Sequence, residues 1–413
     1  MRWGLASTGS THHYWHIDAN GFGTFVHVET GVKLWFIATP KNGNYADFAT
    51  WELYVNDFAL RKPNEDKWNM ELIVLEPGSM LIMRPNLPHS VVTPSPTICR
   101  GGHFYCVSTI IDSVVGIFHH YVASDTISNT NHALASHNVL TRLLTFYLLV
   151  LVDSDDETEY DRSHVPDVTS WDGLLTIFHL CNYFELHSAI LGWYFAYNGD
   201  VRAFKASIRN RARARELIYW FFSSHELEGN DGVITGLEAL ETLFCRFLAQ
   251  QASALIYYKK MAWKKHVRGA DVNIPPSAVC LHIQATLREG PAWIAYSSLS
   301  LNSDDQDLDT QELTFSWPAE VYSIRKVGRV EFHFPYLDGH VWGDRLVAER
   351  LGISLSTFQP RRDQDNELTS WAFYTPEQRL EEDHVSEKGY VSDTPPESPT
   401  LAELSLDTSD SEA

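Results

Sequence analysis

The sequence predicts an α+β chain in three parts: a β-rich N-terminal domain over residues 1–127, a mostly α-helical region over 128–380, and a disordered acidic tail over 381–413. Three observations predict it. Up to about residue 125, short runs heavy in Val, Phe, Thr and Trp alternate with Gly and Pro. After Ile127, apolar residues recur at three- and four-residue spacing over long stretches. From Glu381 onward there are ten acidic residues and one Lys, with Pro395, Pro396 and Pro399 among serines, too little apolar surface to offset the entropy of ordering.

In chain order, Phe22 to Glu29 and Lys33 to Thr39 read as strands separated by Gly31, and Glu71 to Leu75, Ser79 to Met83, Ser90 to Thr93 and His103 to Ile111 continue in the same style. Short strands with Gly and Pro turns predict an antiparallel sandwich or barrel. The more polar Ala46 to Asn69 reads as an insertion between strands. Helices are expected over Asn131 to Val152, Trp171 to Tyr197, Val201 to Ser224 and Thr235 to Val267, with an acidic linker from Ser154 to Asp167. Between Pro291 and Tyr374 strand and helix signals are mixed, around Ala319 to Phe334 and Gly343 to Ile353.

The charge balance bounds the partners. Against 53 Asp and Glu stand 32 Lys and Arg, a net charge of −21, which phosphate backbones and anionic lipid repel. No direct nucleic-acid binding and no membrane association are expected. Five cysteines, Cys99, Cys106, Cys181, Cys245 and Cys280, are odd in number and form no C-x-x-C pair, which suits free thiols in a reducing compartment. The first residues lack the apolar run of a signal peptide, and the longest apolar stretch, Leu143 to Val152, is too short to span a bilayer. These readings place the protein inside the cell, nuclear or cytoplasmic, and leave its oligomeric state open.

The chemistry-bearing residues lie in the β-rich part. In His16-Ile17-Asp18 on a strand, alternation sends both ligand-type side chains to one face and Ile17 to the other. His89 follows about 70 residues later, in Pro88-His89-Ser90-Val91. Two imidazoles and one carboxylate on one face of a metal leave the opposite positions open, the facial triad of non-haem Fe(II) oxygenases. Lys33 is a lone cation in an apolar strand, and a buried ammonium needs an anion; the far carboxylate of a dicarboxylic 2-oxo acid would supply one. His12, His13 and His27 are read as structural or exposed, with His12-His13-Tyr14 near enough to line an entrance.

Trp15-His16-Ile17-Asp18, then Gly31-Val32-Lys33-Leu34-Trp35-Phe36, then Glu76-Pro77-Gly78-Ser79-Met80-Leu81-Ile82-Met83-Arg84-Pro85 leading to His89, and Gly101-Gly102-His103-Phe104-Tyr105, together resemble the Jumonji C (JmjC) family of Fe(II)- and 2-oxoglutarate-dependent oxygenases. The resemblance covers roughly the first quarter of the chain. It implies a double-stranded β-helix, the jelly-roll of cupin-like proteins, with His16, Asp18 and His89 as iron ligands and Lys33 as the partner of the 2-oxoglutarate carboxylate. It further implies that His103, on the last core strand, faces the site and that Thr24 lines the co-substrate pocket. The activity implied is hydroxylation of a protein substrate, a histone among the options, with 2-oxoglutarate and oxygen consumed and succinate and carbon dioxide released. Hydroxylation of an N-methyl group would end in lysine demethylation; stable side-chain hydroxylation is the other outcome. Family members have a longer β-rich stretch before the first ligand than the 15 residues here, so a truncated gene model or a reduced domain with an incomplete co-substrate pocket is expected. The alternative function is a non-catalytic JmjC-like scaffold or interaction protein.

Two basic groups, Arg202, Lys205, Arg209, Arg211, Arg213 and Arg215 on one helix and Lys259, Lys260, Lys264, Lys265 and Arg268 at the end of another, are expected as solvated faces or as salt bridges within this acidic protein. Trp193-Tyr194 and Tyr219-Trp220 are expected in the core.

Overall fold

The computed structural model describes residues 2–42, 54, 63–123, 127–129, 132–153, 162–190, 201–229, 232, 234–235 and 237–264, with shorter stretches beyond, among them 291–298 and 321–326. Most of the expected insertion Ala46 to Asn69, the acidic part of the linker, Trp193-Tyr194, the signals at Gly343 to Ile353 and the tail 381–413 lie outside the described residues.

Among the described residues, eight strands open the chain: β1 (Arg2–Ser7), β2 (Thr11–His16), β3 (Gly23–Thr30), β4 (Lys33–Pro40), β5 (Trp68–Leu75), β6 (Met80–Met83), β7 (His89–Thr93) and β8 (Thr97–Phe104). They form two antiparallel four-stranded sheets, ordered β1-β8-β3-β6 and β2-β7-β4-β5. A buried cluster of Val26, Val28, Met83 and Cys99 from the first sheet with Trp35, Leu75 and Val91 from the second gives the two a shared core. Alternation produces it, since Trp35 on β4 and Val26 and Val28 on β3 are every-second-residue positions turned inward. Gly31 turns β3 into β4 at φ 81°, where an added Cβ would lie 2.3 Å from the Pro96 carbonyl oxygen.

The expected strand His103 to Ile111 is corrected. β8 ends at Phe104, a 3₁₀ turn covers Val107–Thr109, and α1 runs Ile110–Ala123. The β-branched run looks strand-like, but Ile110, Val114 and Phe118 stand four apart, and all three are fully buried as one helical face. Helical structure therefore begins before residue 127.

The remaining helices match the sequence pattern: α2 (Ala133–Leu148, continuing as a π turn over Leu149–Asp153), α3 (Trp171–Ile190), α4 (Val201–Ser224) and α5 (Leu237–Lys264), with a short α6 (Pro291–Ser298) against α5. A three-stranded sheet, β10 (Ile234–Thr235), β9 (His225–Gly229) and β11 (Val321–Lys326), joins them. α3 packs on α4 and α1, and one large core runs from Ile17, Ala38 and Trp68 of the strands into Phe118, Leu144, Phe178, Phe221 and Phe244 of the helices. The apolar segment Ala135–Val152 is longer than the sequence reading allowed and, by length and composition, would suffice for a membrane span. Here Leu140, Leu144, Tyr147 and Leu148 are buried in the protein core, and Asn210 of α4 bonds Thr141 and His137 on the same helix.

Among the described basic side chains, four correct the solvated-face expectation and two bear out the salt bridges; those of Arg202, Lys205, Arg209, Lys264, Lys265 and Arg268 lie outside the described residues. Arg211, Arg213 and Arg215 are buried. Arg215 donates to both oxygens of Glu185 at 2.7 and 3.0 Å, with Arg211 at 3.7 Å from the same carboxylate. Lys259 is also buried, donating to the Tyr121 carbonyl at 3.0 Å and lying 4.6 Å from that ring's centre.

Candidate metal centre

β2 ends at His16, and the chain turns immediately through Asp18 into the 3₁₀ turn Ala19–Gly21. The turn needs Asn20 at φ 58° and Gly21 at φ 66°, a left-handed pair that Asn and Gly tolerate. Ile17 fixes the segment from the side away from the site: it is 1% exposed in the large core, and its amide donates to the Ile127 carbonyl at 2.7 Å. His89 begins β7, beside His16 in the β2-β7 ladder and opposite Ile37 of β4.

The turn and the ladder bring His16, Asp18 and His89 together, with one donor atom from each lying within 4.8 Å of the others. His89 Nε2 is 3.9 Å from Asp18 Oδ1, and the two imidazoles are 4.3 Å apart between ring centres. Each imidazole is oriented by its own backbone. His16 Nδ1 meets the Tyr14 carbonyl at 2.6 Å and His89 Nδ1 the Leu87 carbonyl at 2.9 Å. A carbonyl only accepts, so both Nδ1 atoms carry the proton and both Nε2 lone pairs remain for a cation. Trp35 stacks on His89 at 5.5 Å and 18°.

Asp18 is held as firmly. Thr24 donates its hydroxyl proton to Asp18 Oδ2, and Asn129 donates to Oδ1 at 2.8 Å. Having given up its proton, the Thr24 oxygen accepts from His103 Nδ1 at 2.8 Å. Burial pushes the Asp18 carboxyl upward, but the imidazoles of His89 and His16 and the Thr24 hydrogen bond hold it below the usual carboxylate range. Burial, followed by His89, lowers His16 to about 4, so its imidazole is neutral at pH 7 and ready to ligate. His103 is lowered too, chiefly by burial.

Lys33, expected to face inward, is 1% exposed. Its ammonium donates to Ser7 Oγ at 2.8 Å and Thr93 Oγ1 at 2.7 Å, and among the described residues no carboxylate pairs with it. Burial lowers its pKa. Of the other histidines, His12 reaches Ser90 Oγ at 2.9 Å and His27 reaches Glu29 at 3.0 Å.

Sequence reasoning missed Asn129, Asn20 and Tyr105. Asn129 bridges two parts of the turn, donating to Asp18 and accepting the Ala19 amide at 3.1 Å. Asn20 accepts the His132 amide at 2.6 Å on its side chain and the Tyr105 hydroxyl at 2.7 Å on its carbonyl. No local signal reveals these contacts, because Asn129 is 111 residues from Asp18.

Two imidazoles and a carboxylate on one side of a point could hold a metal ion, and each donor residue has the outer hydrogen bond that metal ligands carry. No family model matches the chain. Over 100 residues, 24% of its length, it is 28% identical to the JmjC domain-containing histone demethylation protein 1 of Caenorhabditis elegans, and it spans only 9% of that protein. The similarity supports a JmjC-like relationship over about a quarter of the chain.

Proposed function

We propose that the chain is a JmjC-type oxygenase dependent on Fe(II) and 2-oxoglutarate that hydroxylates a protein substrate, with the β1–β8 sheets serving as a double-stranded β-helix. The observation that carries the reading is the convergence of His16, Asp18 and His89 with both Nδ1 atoms tied to backbone carbonyls. His16 and His89 would bind the metal through Nε2 and Asp18 through a carboxylate oxygen. Bound Fe(II) supplies the activation of oxygen that oxidises a C–H bond while 2-oxoglutarate is decarboxylated. Thr24 and Asn129 keep Asp18 ionised and aimed, and Lys33, with Ser7 and Thr93 beside it, offers a positive charge to the far carboxylate of the co-substrate. His103, through its Nδ1 bond to Thr24, braces the hydrogen-bond chain that ends on Asp18.

The relative is named for histone demethylation, so histone lysine is the first substrate class to test and a nuclear site the first to examine. Anaerobic Fe(II) titration followed by succinate release from 2-oxoglutarate tests the reading. Stoichiometric iron lost in Asp18→Asn, together with turnover in the parent, is expected. Iron binding without turnover would favour the interaction-protein alternative, and no iron binding would overturn the proposal.

A further inference from the structure

The described residues expose nine large apolar side chains, and five of them, Met70, Leu72, Val74, Met80 and Ile82, sit on the successive strands β5 and β6. Among the described residues each strand ends its sheet. β5 is the longer, and its sequence Trp-Asn-Met-Glu-Leu-Ile-Val-Leu carries neither a Lys nor a Pro, the usual protections of a sheet edge. Its two faces differ. Ile73 and Leu75 turn toward the core shared by the sheets, while Met70, Leu72 and Val74 are 41%, 52% and 51% exposed. Their ladder partners on β4 are Ala38, which is buried in the core, and the part-exposed Phe36 and Leu34, so the outward apolar surface extends onto β4 beside Leu72 and Val74.

We propose that β5 pairs antiparallel with β5 of a second copy of this chain about a two-fold axis through Leu72, joining two sheets into one. The strand's own pattern selects occupant and register. A two-fold axis that keeps the outward faces together passes through a residue, and three residues are central enough to serve. Centring on Glu71 sets two carboxylates opposite each other, which is unfavourable. Centring on Ile73 places Met70 against Glu76 and Glu71 against Leu75. Centring on Leu72 sets Leu72 against Leu72 and Met70 against Val74 on both sides, while Glu71 faces Ile73 and no like charges meet. A self-complementary strip of this kind is what a two-fold interface requires. The proposal stands apart from the metal centre, since neither the triad nor Lys33 lies on β5.

Variants that each add cysteine to a full chain whose exposed Cys106 and part-exposed Cys280 are replaced by Ser test both the dimer and its register. Leu72→Cys puts two thiols at directly opposed positions, where Cα atoms are about 4.5–5.5 Å apart, within the span of a disulfide. It should cross-link to a dimer under mild oxidation. Met70→Cys places its thiols four residues apart along the strand, about 13 Å, and should not; the double variant Met70→Cys with Val74→Cys should. Sedimentation should show two chains per particle, and Leu72→Lys, which sets two ammonium groups face to face, should raise the dissociation constant about tenfold or more. Because Leu72 is exposed, circular dichroism of these variants should match the parent. A monomer at every concentration, or cross-linking by Met70→Cys in place of Leu72→Cys, would overturn the proposal.

Discussion

Two backbone carbonyls decide what His16 and His89 can do. Tyr14 and Leu87, each two residues before its histidine, take the Nδ1 protons and so expose both Nε2 atoms to one point. Replacing either histidine with Ala should abolish stoichiometric metal binding, read as metal content after gel filtration, with the far-ultraviolet dichroism unchanged. Asn129 is a positioning residue for Asp18. Asn129→Ala should weaken metal affinity roughly 10–100-fold, the usual cost of losing an outer hydrogen bond at a ligand, whereas loss of fold without that affinity change would show a merely structural role. Lys33→Met keeps the stem and removes the charge. It should raise the concentration of 2-oxoglutarate needed for turnover at least tenfold, as expected for a lost charge-assisted bond worth about 1.5–3 kcal/mol, while leaving metal content as in the parent. Equal loss of both would mean that the bonds to Ser7 and Thr93 are there to hold the two sheets together.

At the scale of elements, the ligand-bearing turn depends on how closely it approaches α1. Gly21 sits against Ser113, and a Cβ built on it would lie 1.9 Å from that residue's carbonyl oxygen; one on Gly116 would lie 3.0 Å from the Gly21 Cα. Gly21→Ala adds the strain of its positive φ to that clash, so it should lower the melting temperature and the metal affinity together. A variant with unchanged affinity would show that the turn can move without carrying Asp18 along. The sequence made His16 and Asp18 legible through one short motif, although β2 ends at His16 and Asp18 stands on the turn beyond it, and His89 was legible as a third ligand-type residue about 70 residues on. Val201 to Ser224 was legible in full, since its apolar spacing runs unbroken between a Gly-Asp and a strand. β1 and β2 were not, because Gly4, Ser7 and the His12-His13 pair interrupt alternation and their partners, β8 and β7, lie some 70 to 100 residues away. The start of α1 was hidden by β-branched residues, whose strand preference tertiary packing overrides. The arginines of α4 read as a solvated face or as salt bridges without a named partner, because Glu185 lies on another helix.

Across the whole molecule, the helical core encloses ionisable groups that native packing keeps neutral. Burial lowers His119 to about 3 and His137 and His179 to about 4, from an ordinary 6.5. None of the three belongs to the candidate metal centre: His119 bonds Asn86 Oδ1, His137 meets the Tyr183 hydroxyl, and His179 bonds the Leu175 carbonyl. The sign of the effect on stability follows from which state takes the proton. Below pH 6.5 the unfolded chain protonates these imidazoles while the native chain does not, so stability falls as the pH drops from 6.5 toward about 4. At 1.36 kcal/mol per unit, one such histidine is worth on the order of 3 kcal/mol across that window, so a few together approach the roughly 5–15 kcal/mol that holds a domain folded. Metal-free protein should therefore lose urea resistance steadily below pH 6.5 and unfold well above the range in which carboxylates titrate. His179→Phe, which keeps a ring against Phe247, should flatten that slope by about one proton. A midpoint level from pH 7 to pH 5 in the parent would mean that these imidazoles take up protons without unfolding, and that the core around α3 admits water.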